Sequence, residues 1–151
     1  MLLKYLMVFI LGGLPFSEIR GSIIYGLSAN LNVFAVFLIG ATANIIAIPV
    51  IFFALDKLKL IKLAKKLFGK KAYAKIEKNE KILNRWGELA LLLFVAIPLP
   101  VTGAWMASLI AFLLEMDKKK SFIVISVGII IAGIITLVVS QSIINGYYWI
   151  N

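Results

Sequence analysis

Residues 12–21 read GGLPFSEIRG, and residues 97–103 read IPLPVTG. Each stretch interrupts an apolar run that is otherwise long enough for a membrane helix, 5–27 in the first case and 89–114 in the second. Proline removes a backbone donor and clashes with the preceding helical turn, and glycine adds backbone freedom. Broken backbone at membrane depth persists only inside protein or beside a watery cavity. The two breaks therefore predict segments that line a buried site, as in many transporters.

Two further apolar stretches lack such breaks. Residues 33–55 and 121–144 carry no charge, and about 20 apolar residues suffice for a helix to cross a hydrocarbon core of ~30 Å. The composition agrees, since 62% of the 151 residues are hydrophobic, against roughly 45–50% in an ordinary soluble domain. We therefore expect one integral membrane domain that spans residues 1–151.

Cysteine and histidine are both absent from the chain. Without cysteine there is no disulfide and no thiolate metal site. Without histidine the chain lacks the usual metal ligand and the usual near-neutral acid or base. Since no nucleophile–base pair or set of metal ligands is evident either, we expect no enzyme activity, no catalytic residue, no metal and no cofactor.

The net charge of +9 belongs to one connecting segment. Residues 57–87 hold eleven basic and two acidic residues, whereas the rest of the chain holds five of each. Membrane proteins concentrate Lys and Arg in cytoplasmic loops, so this segment is predicted to be cytoplasmic. Its leucines share one helical face, which is typical of a basic amphipathic helix on the membrane surface; a solvated linker helix is the alternative. A nucleic-acid partner, which basic runs also suggest, is not expected between flanks this apolar.

The two halves of the chain resemble each other at a shift of 85 residues. Residues 14–17 (LPFS) then fall on residues 99–102 (LPVT), and each break is followed by a short polar link and an uninterrupted apolar stretch. This order predicts an internal repeat. Its first copy would be residues 1–55 and its second copy residues 89–151, with residues 56–88 as the basic linker.

The charges also predict how the two copies are oriented. Lys118–Lys120 should lie in the cytoplasm together with the basic segment, which requires residues 89–114 to enter and leave the membrane by the same face. That makes 89–114 a re-entrant hairpin, and the repeat makes 5–27 its counterpart from the outside. The predicted fold is an all-α, multi-pass membrane protein with two inverted copies of a re-entrant helical hairpin plus a transmembrane helix. Four complete crossings are the rival arrangement, which places the three lysines outside.

Glu18 and Arg20 are charges within an apolar stretch, whereas the other charges lie at segment ends or in links. A charge at membrane depth costs about 2.5–3.5 kcal/mol on insertion scales, so such residues normally face a partner or a cavity. Positions i and i+2 do not share a helical face, so pairing needs a broken backbone or a separate partner for each residue. One interpretation is an ion pair that locks the hairpin. The other is a proton-coupling carboxylate beside a cation that holds an anionic group.

Uncharged residues near the breaks are further candidates for the site. Ser17 and Thr102 follow the prolines at equivalent places and are predicted to cap the next half-helix, with substrate contact as the alternative. Trp105 is a candidate for stacking on a substrate or for packing, and Asn44 for hydrogen bonding between helices. The residues predicted to shape the hairpins are Pro15, Gly21, Pro98, Pro100 and Gly103.

The same residues carry a resemblance to a known family. LPFSEIRGSIIYG (residues 14–26) and WGELALLLFVAIPLPVTGAWMASLIAFLL (residues 86–114) resemble the small multi-drug export proteins of bacteria and archaea. The chain is more remotely similar to the DedA membrane proteins, which have two opposed re-entrant hairpins with proline-rich motifs. DedA proteins are implicated in moving phospholipids or polyprenyl phosphates and in proton-dependent drug tolerance. The small multidrug resistance pumps are less similar, because they lack the Pro-Ser-Glu-x-Arg motif and the long basic loop.

By position, the DedA resemblance assigns two sets of hairpin residues. The first hairpin maps to Pro15, Glu18, Arg20 and Gly21, and the second to Pro98, Pro100, Thr102 and Gly103. The second DedA motif usually supplies arginines near its proline, whereas uncharged residues such as Ala96 and Thr102 stand here. This difference weakens the expectation of a phosphate-bearing lipid as substrate.

The leading functional hypothesis is a proton-linked exporter of small amphipathic or cationic compounds in the cell membrane, with its site between two opposed hairpins. The second is a DedA-like lipid or polyprenyl-phosphate translocator, and the third is a non-transporting scaffold that organises the bilayer. The expected partners are the lipid bilayer and a small-molecule or lipid substrate. A chain this small provides little protein around a transport path, so a homodimer is also an expectation.

Overall fold

The computed structural model describes residues 1–58, 80–98 and 103–150, and this part of the chain contains six α-helices and no β-strand. The helices are α1 (Leu2–Gly13), α2 (Glu18–Ser28), α3 (Val33–Lys57), α4 (Glu80–Ala96), α5 (Ala104–Leu113) and α6 (Lys118–Ile150). The prediction of an all-α protein is confirmed for these residues. Most of the predicted basic amphipathic helix lies between α3 and α4, outside the described residues.

The two uninterrupted apolar stretches form the two long helices. Val33–Lys57 in α3 and Lys118–Ile143 in α6 are each long and apolar enough to cross a membrane. Side chains just before the first turns support both helices. Asn32 accepts a hydrogen bond from the Ala35 amide at 3.0 Å, and Asp117 accepts one from the Lys120 amide at 2.8 Å. Such caps satisfy amides that the helix itself leaves without a partner.

Each of the two interrupted stretches forms a pair of short helices. The first break separates α1 from α2, and the second separates α4 from α5. With 12 residues in α1 and 11 in α2, these helices are about 18 Å and 16 Å long, well short of a hydrocarbon core of ~30 Å. Proline and glycine therefore divide runs that hydrophobicity alone would assign to single membrane helices.

Contacts between charged side chains and helix ends show which ends lie together. Lys4 in the first turn of α1 donates to the carbonyl of Ala29, just after α2, at 3.3 Å. Helix α1 therefore starts, and α2 ends, at one end of the helix bundle, which we call the Lys4 end. Helix α3 also begins there, and its 25 residues extend it by about 37 Å. Its last turn consequently lies at the opposite end, which we call the Lys118 end.

Two ion pairs join helices at the Lys118 end. Asp56 in the last turn of α3 pairs with Lys118 at the start of α6. Glu88 of α4 pairs with Lys120 of α6 at 3.4 Å. Because α5 leads directly into α6, the outer end of α5 lies here, and Glu88 brings the middle of α4 to the same end. Each short pair of helices thus leaves and returns to one end of the bundle. Their re-entrant and inverted placement in a bilayer stays a prediction.

The links after α2 and after α5 have the same local structure at positions 85 residues apart. After α2, the amides of residues 29, 30 and 31 donate to the carbonyls of Tyr25, Leu27 and Gly26, in that order. After α5, the amides of residues 114, 115 and 116 donate in the same pattern to the carbonyls of Ile110, Phe112 and Ala111. In both links the second residue has a φ of 54°, a left-handed conformation that L-residues seldom adopt. These two links therefore share one backbone geometry at a spacing of 85 residues, and the inverted repeat of the two halves stays a prediction.

Small residues let the helices of the first half approach closely. A Cβ on Gly12 of α1 would lie 2.8 Å from the carbonyl oxygen of Gly40 in α3, and a Cβ on Gly40 would overlap the Ser22 hydroxyl of α2. Further along the same interface, a Cβ on Gly26 would lie 2.5 Å from the side chain of Val36. Helices α2 and α3 are therefore antiparallel neighbours, with Gly26 beside Val36 and Ser22 beside Gly40.

Candidate functional site at the two helix breaks

Glu18 begins α2 directly after the first break, and its side chain is buried between the two breaks. Glu18 is only 7% exposed, and its backbone has a φ of 50°. The carboxylate lies at the N-terminus of α5, where the Trp105 amide donates to Oε1 at 3.4 Å and the Ala104 amide also donates. The first amides of a helix lack internal partners and carry the positive end of the helix dipole. The start of α5 is thus arranged to hold a negative charge.

Gly103 makes room for this carboxylate. It precedes α5, and a Cβ built on it would overlap both carboxylate oxygens of Glu18. Its φ of −168° is ordinary extended backbone, so the requirement for glycine here is one of space. The sequence suggested Gly103 only as a residue that shapes the hairpin. Gly21, the glycine predicted to shape the first hairpin, lies against the side chain of Ser17.

Arg20 reaches the other side of the second break. Its Nη2 donates to the carbonyls of Val95 at 3.5 Å and Ile97 at 3.4 Å, at the C-terminus of α4. The guanidinium also interacts electrostatically with Glu18. A helix C-terminus carries the negative end of the dipole and favours a cation. The two charges of the first half therefore match the two helix ends exposed by the break in the second half.

Trp105 makes the reverse contact, from the second half to the first. Its indole Nε1 donates to the carbonyl of Gly13, the last residue of α1, at 3.1 Å. Arg20 and Trp105 stand 85 residues apart, at equivalent positions of the predicted repeat. Each donates to the carbonyls that end the first short helix of the opposite half. We call this arrangement reciprocal capping.

The predicted cap at Ser17 is wrong. Ser17 occupies the position before α2, but its hydroxyl donates to the Leu11 carbonyl in α1 and caps no amide of α2. The physical reason is its backbone, with φ −98° and ψ −46°, because a capping side chain normally needs an extended residue. Thr102 and Pro100 lie outside the described residues. Pro15 and Pro98 lie in the breaks themselves and are exposed.

Asn44 is buried in the middle of α3 and is 1% exposed. Within the described residues, neither its amide oxygen nor its amide nitrogen has a hydrogen-bond partner. The predicted hydrogen bond between helices is therefore not observed. Ser108 of α5 is likewise fully buried, with its hydroxyl unpaired in the described part of the chain.

The structure brings together Glu18, Arg20 and Trp105, three of the residues that the sequence singled out. Sequence reasoning missed their partners, because these are backbone groups: the Ala104 amide and the carbonyls of Gly13, Val95 and Ile97. No side-chain pattern marks such groups. Among the described residues, no three His, Cys, Asp or Glu side chains come close enough to hold a metal ion.

Comparison with protein families gives one match to the chain. A family model described as "Putative small multi-drug export protein" matches residues 18–135. The matched range starts at Glu18 and includes Arg20, Gly103 and Trp105. Comparisons with curated proteins and with solved structures give no match. Because the family model covers more than half of the chain, including both sides of the site, the chain belongs to the small multi-drug export protein family.

Proposed function

We propose that this protein is a proton-linked exporter of small amphipathic or cationic compounds, with Glu18 as the group that exchanges the proton. The observation that carries the proposal is the burial of the Glu18 carboxylate between the two helix breaks, against the amides at the start of α5. The family's description as export proteins supports transport of small compounds.

The surroundings of Glu18 suit a group that alternates between charged and neutral. Two amides, the dipole of α5 and Arg20 stabilise the ionised carboxylate. A proton or a cationic compound at the same oxygens neutralises the charge, so the two compete for one position. That competition is what links the movement of one to the movement of the other.

Arg20 fits a locking role better than the binding of an anionic group. Hydrogen bonds from its Nη2 join α2 to the last carbonyls of α4, and its guanidinium also interacts with Glu18. In this proposal Arg20 holds the broken segments together, and Glu18 carries the proton.

The contacts at the helix ends support two opposed re-entrant hairpins. If α3 and α6 cross the membrane, Lys4 and Ala29 place the ends of the first hairpin on one side. The pairs of Asp56 with Lys118 and of Glu88 with Lys120 place the ends of the second hairpin on the other side. Four complete crossings would put Asp56 and Lys118 on opposite faces of the membrane, which their contact disfavours.

This arrangement has a preferred orientation in the cell membrane. The Lys118 end also carries the start of the basic segment 57–87, so we propose that this end is cytoplasmic. The site at the breaks then lies near the middle of the bilayer, where transporters with broken helices bind their substrates. A homodimer remains part of the proposal.

The decisive experiment is flux in proteoliposomes with and without a pH gradient, using a fluorescent cationic dye. Glu18→Gln should abolish the flux driven by the pH gradient, because the amide keeps the shape and an acceptor for the Trp105 amide but cannot exchange a proton. The matched control is Glu115→Gln, which neutralises an exposed carboxylate in the link between α5 and α6 and should leave the flux unchanged. Unchanged flux in Glu18→Gln would refute the proposed role.

The same vesicles test the other two functions. Movement of a labelled polyprenyl phosphate without dye flux would favour a lipid translocator, and no movement of either compound would favour a scaffold. The position equivalent to Arg20 in the second half holds Trp105, so this half offers no second arginine to a phosphate there. We therefore rank the lipid translocator second.

A further inference from the structure

The Asn44 side chain is a polar group buried in a long apolar helix. Both polar atoms of its side chain are buried and have no partner among the described residues. A buried amide without hydrogen bonds is costly because it has lost those it made with water. Polar residues inside membrane helices mark functional paths more often than ordinary packing.

The packing of α2 on α3 places Asn44 level with Glu18. Gly26 lies beside Val36, and one turn further Ser22 lies beside Gly40. Each step moves four residues back along α2 and four forward along α3. Four residues further along each helix stand Glu18 and Asn44, so the same spacing places these two residues at one level of the bundle.

The neighbour of Asn44 in α3 confirms that this level contains the first break. A Cβ on Gly12 would lie 3.1 Å from the Ala43 side chain, and one on Gly13 would lie 3.9 Å from the Ala43 carbonyl. Gly13 is also the residue whose carbonyl accepts the Trp105 indole. Asn44 therefore lies beside the end of α1, level with the start of α2.

A second unpaired group lies on α5, which packs against α3. Ser108 stands one turn after Ala104, whose amide donates to Glu18, and its hydroxyl is fully buried without a partner in the described residues. Ser121 has an unpaired hydroxyl as well, but it lies in the first turn of α6 near the Lys118 end. Asn44 and Ser108 are thus two buried polar side chains near the breaks that have no hydrogen-bond partner in the described part of the chain.

We propose that Asn44 determines the specificity of the Glu18 site by selecting cationic compounds whose charged nitrogen carries an N–H. This inference rests on the proposed function and names the substrate class more closely. A protonated amine satisfies two groups at once, with its charge on the Glu18 carboxylate and its N–H donated to the amide oxygen of Asn44. A quaternary ammonium pairs with the carboxylate but has no hydrogen to donate, so the Asn44 oxygen stays unpaired.

The test compares two dyes that differ only at this nitrogen. Acridine orange, once protonated, has an N–H on its ring nitrogen, and 10-methylacridine orange has a methyl group there; both carry one positive charge. Binding to the purified protein in detergent, followed by fluorescence anisotropy, gives a Kd for each dye. We expect the wild-type chain to bind acridine orange about three- to tenfold more tightly, the value of one hydrogen bond.

Asn44→Leu removes the amide but keeps the same branching and number of side-chain heavy atoms, and it should bring the two dissociation constants to within twofold of each other. It should also raise the Tm of the unliganded protein, because an unpaired buried amide is lost. Asn44→Thr retains an acceptor and should restore part of the preference, which keeps the test usable if the leucine variant does not fold. Thr136→Val is the matched control, since Thr136 is buried but already bonded to the Ala132 carbonyl.

Three outcomes decide the inference. A preference for acridine orange that disappears in Asn44→Leu and persists in Thr136→Val supports it. Equal affinity of the wild-type chain for both dyes, or no saturable binding of either, overturns it. A preference that survives in Asn44→Leu also overturns it. Saturable binding without flux driven by a pH gradient would instead refute only the proton-linked export.

Discussion

The Glu18 carboxylate fills the space where residue 103 would otherwise have a side chain. Gly103→Ala should therefore displace the carboxylate and lower the stability of the protein by about 1–3 kcal/mol, as overpacking of a tight interior usually does. The loss should appear as a lower Tm in detergent and as weaker binding of cationic dyes.

Gly13→Ala is the matched control for this substitution. The nearest atom to a Cβ on Gly13 is the Ala43 carbonyl oxygen at 3.9 Å, an ordinary contact. Shortening the acidic side chain with Glu18→Asp should recover part of the stability lost in Gly103→Ala, because the carboxylate then withdraws by one methylene. Equal Tm values for Gly103→Ala and Gly13→Ala would show that the carboxylate does not occupy this space.

The sequence identified the charged residues of the site but not their partners. Glu18 and Arg20 stand out because a charge in an apolar stretch is expensive, and such a charge is expected to face a partner or a cavity. Those partners are amides and carbonyls at helix ends, which every residue possesses and no sequence pattern distinguishes. Ser17 shows the converse, because its residue type predicts a cap and its backbone conformation prevents one.

Reciprocal capping makes the ends of α1 and α4 depend on different residues. Trp105→Phe keeps the aromatic ring but removes the donor to Gly13, which should cost about 0.5–1.5 kcal/mol. Arg20→Met should cost more, because hydrogen bonds from a charged group contribute about 1.5–3 kcal/mol and the contact with Glu18 is lost as well.

Hydrogen–deuterium exchange can separate the two effects. Trp105→Phe should speed exchange in the last turn of α1, and Arg20→Met should speed it in the last turn of α4. The long helix α6, which supplies neither cap, serves as the internal reference. If either variant loosened both breaks to the same degree, the two caps would not act separately.

The order of helices was predictable to different degrees along the chain. Length and hydrophobicity predicted α3 and α6 within a few residues, and Pro and Gly predicted the breaks. The identical turns after α2 and α5 were less visible, since they share a backbone path but few residue types. Asparagine is a common residue at a positive φ, whereas glutamate is not. The residue type therefore favours the turn at Asn30 but does not predict the same turn at Glu115.

The arrangement of helix ends predicts which face of the membrane each link reaches. The chain has no cysteine, so single cysteines can be labelled without background. Lys119→Cys at the Lys118 end should react with a membrane-impermeant thiol reagent from the cytoplasmic side only. Asn30→Cys at the Lys4 end should react from the outside only.

A cysteine at a buried position serves as the control for both labelling experiments. Ile125→Cys, at a fully buried position of α6, should remain unlabelled from either side in folded protein. Labelling of Lys119→Cys from the outside would instead support four complete crossings. Four complete crossings place Asn30 and Lys119 on the same face, so labelling of both cysteine variants from the outside would contradict the two opposed hairpins.

Reciprocal capping also has a consequence for biosynthesis. The ribosome delivers α1, α2 and α3 before any of the second half exists, so the Gly13 carbonyl at first lacks the Trp105 indole. The Arg20 guanidinium already has Glu18 beside it but still lacks the carbonyls of Val95 and Ile97. A nascent chain that stops after α3 would display an incomplete polar surface to the insertion machinery and to membrane proteases. Completion of α5 is therefore the step of synthesis at which the groups of both halves are first present and reciprocal capping can form.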